Sequence, residues 1–219
     1  MVAIDAGSGE AGGRATHVGA SGPVAGLTRW TGRLASWRVW MVSAAVFVAF
    51  AGVFFSSSAS FAIPEVEGAC GQAPLDVRLH STADDVADFL GACGPVGRDA
   101  YRSMQVADLF YPLVFGVFMA SSLAVVLSRL VPGRPALVGL AGLALVGSGF
   151  DYLENAFAWR ALVAFPDSPA TNSLLGLAST AKTVTFWIVG TLLLVSIGGL
   201  VVQRVGRWRR ARSVVRPLA

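Results

Sequence analysis

Between Val39 and Phe61 the chain carries no charged residue, and the run is long enough to cross the roughly 30 Å hydrocarbon core of a bilayer. Three further apolar stretches, 106–131, 137–158 and 173–202, repeat the pattern with few interruptions. Charged residues make up only 14% of the 219 positions and hydrophobic ones 54%, with a mean hydropathy of +0.64. An ordinary soluble domain carries about 25% charge, and a small chain this apolar could not cover its own surface in water. In lipid the demand moves to the backbone, whose N–H and C=O groups need internal partners, and helices supply them. The expected fold is all-α: an integral membrane four-helix bundle over 27–202 with spans near 39–61, 106–131, 137–158 and 173–202. A loop over 63–105 and tails over 1–26 and 203–219 complete it.

The tails differ in chemistry. Residues 1–26 are rich in Gly, Ala and Ser and read as a disordered tail. Trp30, Leu34 and Trp37 then fall on one helical face beside Arg29, Arg33 and Arg38, which suits the headgroup start of the first span. The tail after 202 holds Arg204, Arg207, Arg209, Arg210, Arg212 and Arg216, and Arg129 and Arg134 flank a Pro–Gly turn. The remaining loops hold Glu65, Glu67, Asp76, Asp84, Asp85, Asp88, Asp99 and Asp167 against Arg78, Arg98, Arg102 and Arg160. By the positive-inside rule both termini are cytoplasmic, loop 63–105 is extracytoplasmic, and the membrane is the plasma membrane. A rival reading takes the basic start, the apolar run and Ser60-Phe61-Ala62 as a secretory leader. That leader would be unusually long, and its removal would leave three spans.

Loop 63–105 contains both cysteines, Cys70 and Cys93, without CxxC spacing, which argues against zinc. Outside the cytoplasm they are expected to form a disulfide that clips the loop over the bundle mouth. Ser81-Thr82-Ala83-Asp84-Asp85 reads as a helix start, with a capping hydroxyl followed by acids. Val86, Phe89 and Leu90 form the buried side of that short helix, and Gly91 with Gly94-Pro95 stops it.

The functional question centres on charges inside the spans. Asp151, Glu154 and Asn155 stand at i, i+3 and i+4 and share one helix face. With Asp108 near the start of the second span and Lys182 in the fourth, they fall at one depth in the outer leaflet at about 1.5 Å per residue. A charge at that depth costs several kcal/mol unless paired or wetted, so this face is expected to point inward toward Lys182 and Asp108. Pro112 deprives the Asp108 carbonyl of its helical donor, or else simply marks a first helical turn. Tyr101, Met104, Asp108, Tyr111 and Phe115 follow helical spacing and would line the site with a mixed aromatic and polar face.

Two readings of the cluster stay open. In one, Asp108, Tyr111, Asp151, Glu154, Asn155 and Lys182 border an outward-facing polar pocket for a lipid or small molecule. In the other, Asp151 and Glu154 pair with Lys182 and Asn155 bonds across helices only to set register. Catalytic residues are unassigned. No nucleophile motif or His cluster occurs, no cofactor or metal is expected, and an acid–base enzyme built on Asp108, Asp151 and Glu154 is the less favoured alternative. The C-terminal arginines are expected to meet anionic lipids of the bilayer rather than nucleic acid, and homo-oligomerisation stays open.

Asp108-Leu109-Phe110-Tyr111-Pro112 and Asp151-Tyr152-Leu153-Glu154-Asn155 together resemble a group of bacterial four-span membrane proteins of unknown activity. The likeness covers most of Val39 to Val202 and implies an integral membrane protein without assigning a catalytic residue. The chain also has a looser architectural likeness to small four-span sterol isomerase and ligand-binding proteins, which place acids inside a helical bundle. Too few of their motif residues are present to carry any role over.

Overall fold

The computed structural model describes residues 32–214 with Gly26 and Arg29, and side chains as far as residue 210. The tail expected over 1–26 lies outside these residues except for Gly26, as do Trp30 and residues 215–219. All regular elements described are helical: α1 (Trp37–Ser56), α2 (Ile63–Cys70), a 3-10 turn (Leu75–Val77), α3 (Ala83–Ala92) and α4 (Gly94–Ala107). After these come α5 (Tyr111–Leu130), α6 (Pro135–Val138), a second 3-10 turn (Gly139–Gly142), α7 (Leu143–Ala164) and α8 (Asn172–Val214). Four segments are long and apolar enough to cross a membrane: Trp37–Ser56, Gly94–Leu130, Pro135–Ala164 and Asn172–Arg210. The chain is in this sense a multi-pass helical membrane protein.

The segment boundaries differ from those expected, each for a local reason. The first helix stops at Ser56, not Phe61. Hydroxyls in the serine run compete for the backbone: Ser56 Oγ bonds the Gly52 carbonyl at 2.5 Å and Ser57 Oγ accepts from Ala59 N at 3.2 Å. The second span does not begin at Val106 but is two helices, α4 and α5, separated by a turn at 108–110. The third runs on past Ala158 to Ala164. The fourth does not end at Val202 but continues as helix through the basic region, 43 residues in all. At about 1.5 Å per residue α8 is roughly 64 Å long, well beyond a bilayer of about 40–45 Å with its headgroups.

The helices α1, α5, α7 and α8 form the bundle. Trp40 Nε1 donates to Ser122 Oγ, Ser43 Oγ meets Ser121 Oγ, both at 3.0 Å, and Phe47 stacks on Phe118, so α1 is keyed to α5 by polar and aromatic contacts. The helices α5 and α7 approach closely, and a Cβ on Gly116 would stand 2.0 Å from Ser148 Oγ. In the glycine-rich third span Gly147 is also constrained, by the Phe186 ring 2.9 Å away, whereas Gly139 and Gly149 have open space.

Loop 63–105 is a structured cap and not one helix in a polar loop. Helices α2, α3 and α4 bury Val66, Leu75, Val86, Phe89, Leu90, Tyr101 and Met104 with Phe54 of α1, Ala158, Ala161 and Leu162 of α7 and Leu175 of α8. The start of α3 follows its sequence: Thr82 Oγ1 accepts from Asp85 N at 3.1 Å and Asp85 Oδ2 accepts from Thr82 N at 2.7 Å, a reciprocal cap. These bonds hold the exposed Asp85 carboxyl below its ordinary value of 3.8, with Thr82 as the main cause. Gly94, at φ +59°, turns the chain from α3 into α4. Cys70 and Cys93 are joined across 23 residues, tying α2 to the end of α3.

Candidate functional site

The face shared by Asp151 and Glu154 meets a matching face on α8, where Ser179 and Lys182 are also three residues apart. Glu154 is fully buried; Ser179 Oγ donates to one of its carboxylate oxygens and Lys182 Nζ to the other. Asp151 Oδ1 stands 3.3 Å from Lys182 Nζ. The Lys182 side chain is only 13% exposed, and its third partner comes from the cap, where the Asp76 carbonyl accepts from Nζ at 2.9 Å. The ammonium is thus saturated, as its three donors require.

Asp76 is the member that sequence reasoning missed. Its carboxylate accepts from Tyr101 Oη at 2.8 Å and from Gln105 Nε2 at 2.7 Å. Tyr101, Gln105 and Asp108 follow one another at i, i+4 and i+7 along α4 and its end, so a polar stripe was readable there. Nothing around Asp76 marks it, since it rides on a three-residue 3-10 turn and reaches the site only because the cap folds inward. The Asp108 side chain is buried and lies within electrostatic reach of Asp76, Asp151, Glu154 and Lys182.

A second stripe on α7 closes the break between α4 and α5. Ser148 Oγ donates to the Pro112 carbonyl at 2.6 Å, Tyr152 Oη to Leu109 at 3.0 Å and Asn155 Nδ2 to Asp108 at 3.2 Å. These side chains stand at i, i+4 and i+7; Tyr152 and Asn155 meet carbonyls of the turn at 108–110, and Ser148 adds a bond to the first turn of α5. Pro112 sits in the first turn of α5, and the free acceptor at Asp108 is taken by Asn155. The same break ends the continuous face expected from Tyr101 to Phe115. Tyr111 packs its ring in an aromatic cluster with Phe50, Phe54, Phe55 and Phe115 and lies within electrostatic reach of Asp151, Asp108 and Lys182.

The structure therefore brings Asp108, Asp151, Glu154, Asn155 and Lys182 together, adds Asp76, Tyr101, Gln105 and Ser179, and sets Tyr111 at the edge of the group, within electrostatic reach of Asp108 and Asp151. Space opens beside the charged group. A cavity of about 530 Å³ lies between the α4–α5 junction and α7, lined by Gln105, Val106, Leu109, Tyr152, Asn155, Ala156 and Trp159. Gln105 and Asn155 contribute to its wall, and Gln105 Oε1 and Asn155 Oδ1 are buried without a hydrogen-bond partner. The identity of these atoms follows from chemistry: each amide nitrogen faces an acceptor, a carboxylate for Gln105 and a carbonyl for Asn155, so the oxygen must point the other way. Among the described residues no three of His, Cys, Asp and Glu are grouped to hold a metal ion.

At the opposite end a cleft of about 590 Å³ is lined by Ser128, Arg129, Pro132, Leu200, Arg204 and Arg207. Gln203 Nε2 holds its two walls together by donating to the Leu130 carbonyl at 3.2 Å. Comparison of the chain with protein-family models, with curated proteins and with solved structures returns no match, so the motif resemblance of the second and third spans rests on those motifs alone.

Proposed function

We propose that this is a non-catalytic, multi-pass protein of the plasma membrane that binds a lipid or another small amphiphile at its outer face. The observation that carries the reading is the cavity of about 530 Å³ between the α4–α5 junction and α7, whose lining is mostly apolar with Gln105, Tyr152 and Asn155 among it. Leu109 and Val106 are half exposed on the rim beside Tyr152 and Trp159, which suits entry from the lipid side near an interface. Orientation follows the charge: both termini and the arginine cleft lie in the cytoplasm against anionic lipid, and the disulfide-clipped cap lies outside.

The charged cluster has a different role in this reading. The three partners of Lys182 support a register-setting node between α7, α8 and the cap. Asp151 and Glu154 face Lys182 rather than a void, so they give no support to an acid–base enzyme. The test is mass spectrometry of the intact protein released from membranes in mild detergent. A retained lipid or small molecule that disappears in Ala156→Phe, a change that fills the cavity from an exposed position, supports the reading. Equal occupancy in both proteins removes it.

A further inference from the structure

The end of the bundle opposite the cap holds arginines and, among the described residues, no acids. No Asp or Glu occurs between 109 and 150 or after 167, so α5, the turn after it and all of α8 lack a carboxylate side chain. We propose that the cleft between α5 and α8 binds a membrane lipid with a phosphomonoester head, the class to which phosphatidic acid belongs. The inference rests on the reading above that this end faces anionic lipid. It names the head and is independent of the outer cavity.

Three observations converge. First, the cleft of about 590 Å³ has Arg129, Arg204 and Arg207 on its walls, and the ion pairs among the described residues involve none of them. A guanidinium keeps its charge in any protein setting, so the sign of this cleft does not depend on its surroundings. A cleft lined by one sign of charge concentrates its field inside, where counter-charge gathers.

Second, the walls are held in place. Gly199 lets α8 lie against the end of α5, since a Cβ there would stand 3.1 Å from Leu130 Cδ1. Gln203 donates from Nε2 to the Leu130 carbonyl, and its Oε1 accepts from Arg207 Nη2 at 3.5 Å. Arg207 thus leans back along α8 toward the residue that grips α5. Ser128 Oγ is committed to the Val125 carbonyl at 3.0 Å, so the donors left in the cleft are guanidinium N–H groups.

Third, the cleft has an apolar side. Pro132 and Leu200 line it, and Val201, Val202 and Val205 are exposed on the adjoining turns of α8. Acyl chains would leave the head along that flank, for which a soluble phosphate compound has no use. The head follows from the charge. A phosphomonoester carries about −1.5 to −2 charge near pH 7 and three acceptor oxygens. The phosphodiester of phosphatidylglycerol carries a single charge and two free oxygens. Arginine meets such oxygens through parallel N–H···O bonds, so three guanidinium groups gain more from the monoester.

The experiment places the full chain in phosphatidylcholine nanodiscs containing equal small amounts of phosphatidic acid and phosphatidylglycerol. Native mass spectrometry counts the lipids that stay bound. The wild type is expected to retain phosphatidic acid about tenfold over phosphatidylglycerol, the ratio that one further charge-assisted bond supports. Arg129→Gln and Arg204→Gln are each expected to lower the ratio, and together to bring it close to one. Arg209→Gln removes the same charge from the opposite face of α8, nine residues from Leu200, and is expected to leave the ratio unchanged. All three positions are exposed, so the variants keep the fold. Equal falls in Arg204→Gln and Arg209→Gln overturn the cleft as the site. Equal retention of both anionic lipids, above phosphatidylcholine and lost in the double variant, overturns the head assignment while the reading of this end against anionic lipid stands. No excess of either over phosphatidylcholine overturns both. Inorganic phosphate at the same bulk concentration as the lipid is expected to displace little, because acyl chains keep a lipid head at high effective concentration. Displacement to the phosphatidylcholine background overturns the lipid source in favour of a soluble phosphate compound.

Discussion

At the cap end of the bundle, Lys182 is 13% exposed and reaches Glu154, Asp151 and the Asp76 carbonyl at once. At the other end Arg129, Arg204 and Arg207 stand exposed around an open cleft. Both ends are charged, yet the charges act through different physics. Buried charges interact strongly and are costly to leave unpaired, so the cap end depends on bond geometry. Exposed charges are screened and mobile, so the basic end acts as a field on whatever surface faces it. The difference also explains why the cap exists. It delivers Asp76 to the ammonium, a partner that no spanning helix provides.

The sharpest way to break the contrast is Lys182→Met. Removing one member of a buried pair strands the others, and a loss of about 3–5 kcal/mol is expected in reversible unfolding in detergent. Replacing Glu154 in the same chain should restore part of it. A single-variant loss under about 1 kcal/mol is what a wet, surface-like site would give, and it would erase the distinction between the ends.

Cys93→Ser tests whether the cap end needs its clip. The 23-residue separation between the cysteines corresponds to about 3 kcal/mol of loop entropy. Protease cleavage within the cap should accelerate while the spans keep their helical signal. At a similar or smaller scale, Gly116→Val places its Cβ 2.0 Å from Ser148 Oγ and should cost about 1–3 kcal/mol by forcing α5 from α7. Ser148→Ala combined with it should relieve the clash, which separates overpacking from a general loss of the bundle.

Two smaller effects sharpen the comparison at exposed positions. Thr82→Ala removes the cap of α3 and should cost about 1 kcal/mol, seen as lost hydrogen-exchange protection confined to that helix. Acid should imitate it. The folded value of Asp85 is depressed below 3.8, so its contribution is present above about pH 4 and is lost as pH falls through the folded value. Protection of α3 that is flat from pH 6 to pH 2 would contradict this. Last, Arg129→Gln with Arg204→Gln and Arg207→Gln should move stability by no more than about 0.5 kcal/mol. The same variants should lower the enrichment of anionic lipid around the protein, and the loss should shrink as salt rises.

Much of the molecule follows from local chemistry and was legible on that account. The count of apolar segments sets the helix number because lipid forbids unpaired backbone. Thr82 and Asp85 announce α3 because a reciprocal cap involves residues three apart. Asp151, Glu154 and Lys182 could be matched because helical period fixes the face and rise fixes the depth. The stop at Ser56 was also local, but the serine run was read as the end of a span and not as a competitor for its backbone bonds.

The sequence by itself determined four apolar helices, a cystine-bearing cap and charges that must meet. Only the tertiary structure decided which groups they meet and what is left over. Asp76 lies 106 residues from Lys182 along the chain, and no periodicity spans that interval. At the break at 108–110 the Leu109 and Asp108 carbonyls find donors because Tyr152 and Asn155 arrive from another helix. The same crossing commits the amide nitrogens of Gln105 and Asn155 and leaves their oxygens buried without donors. Hydrogen bonds between distant segments depend on how helices cross, and side-chain directions shared among several helices are set together or not at all.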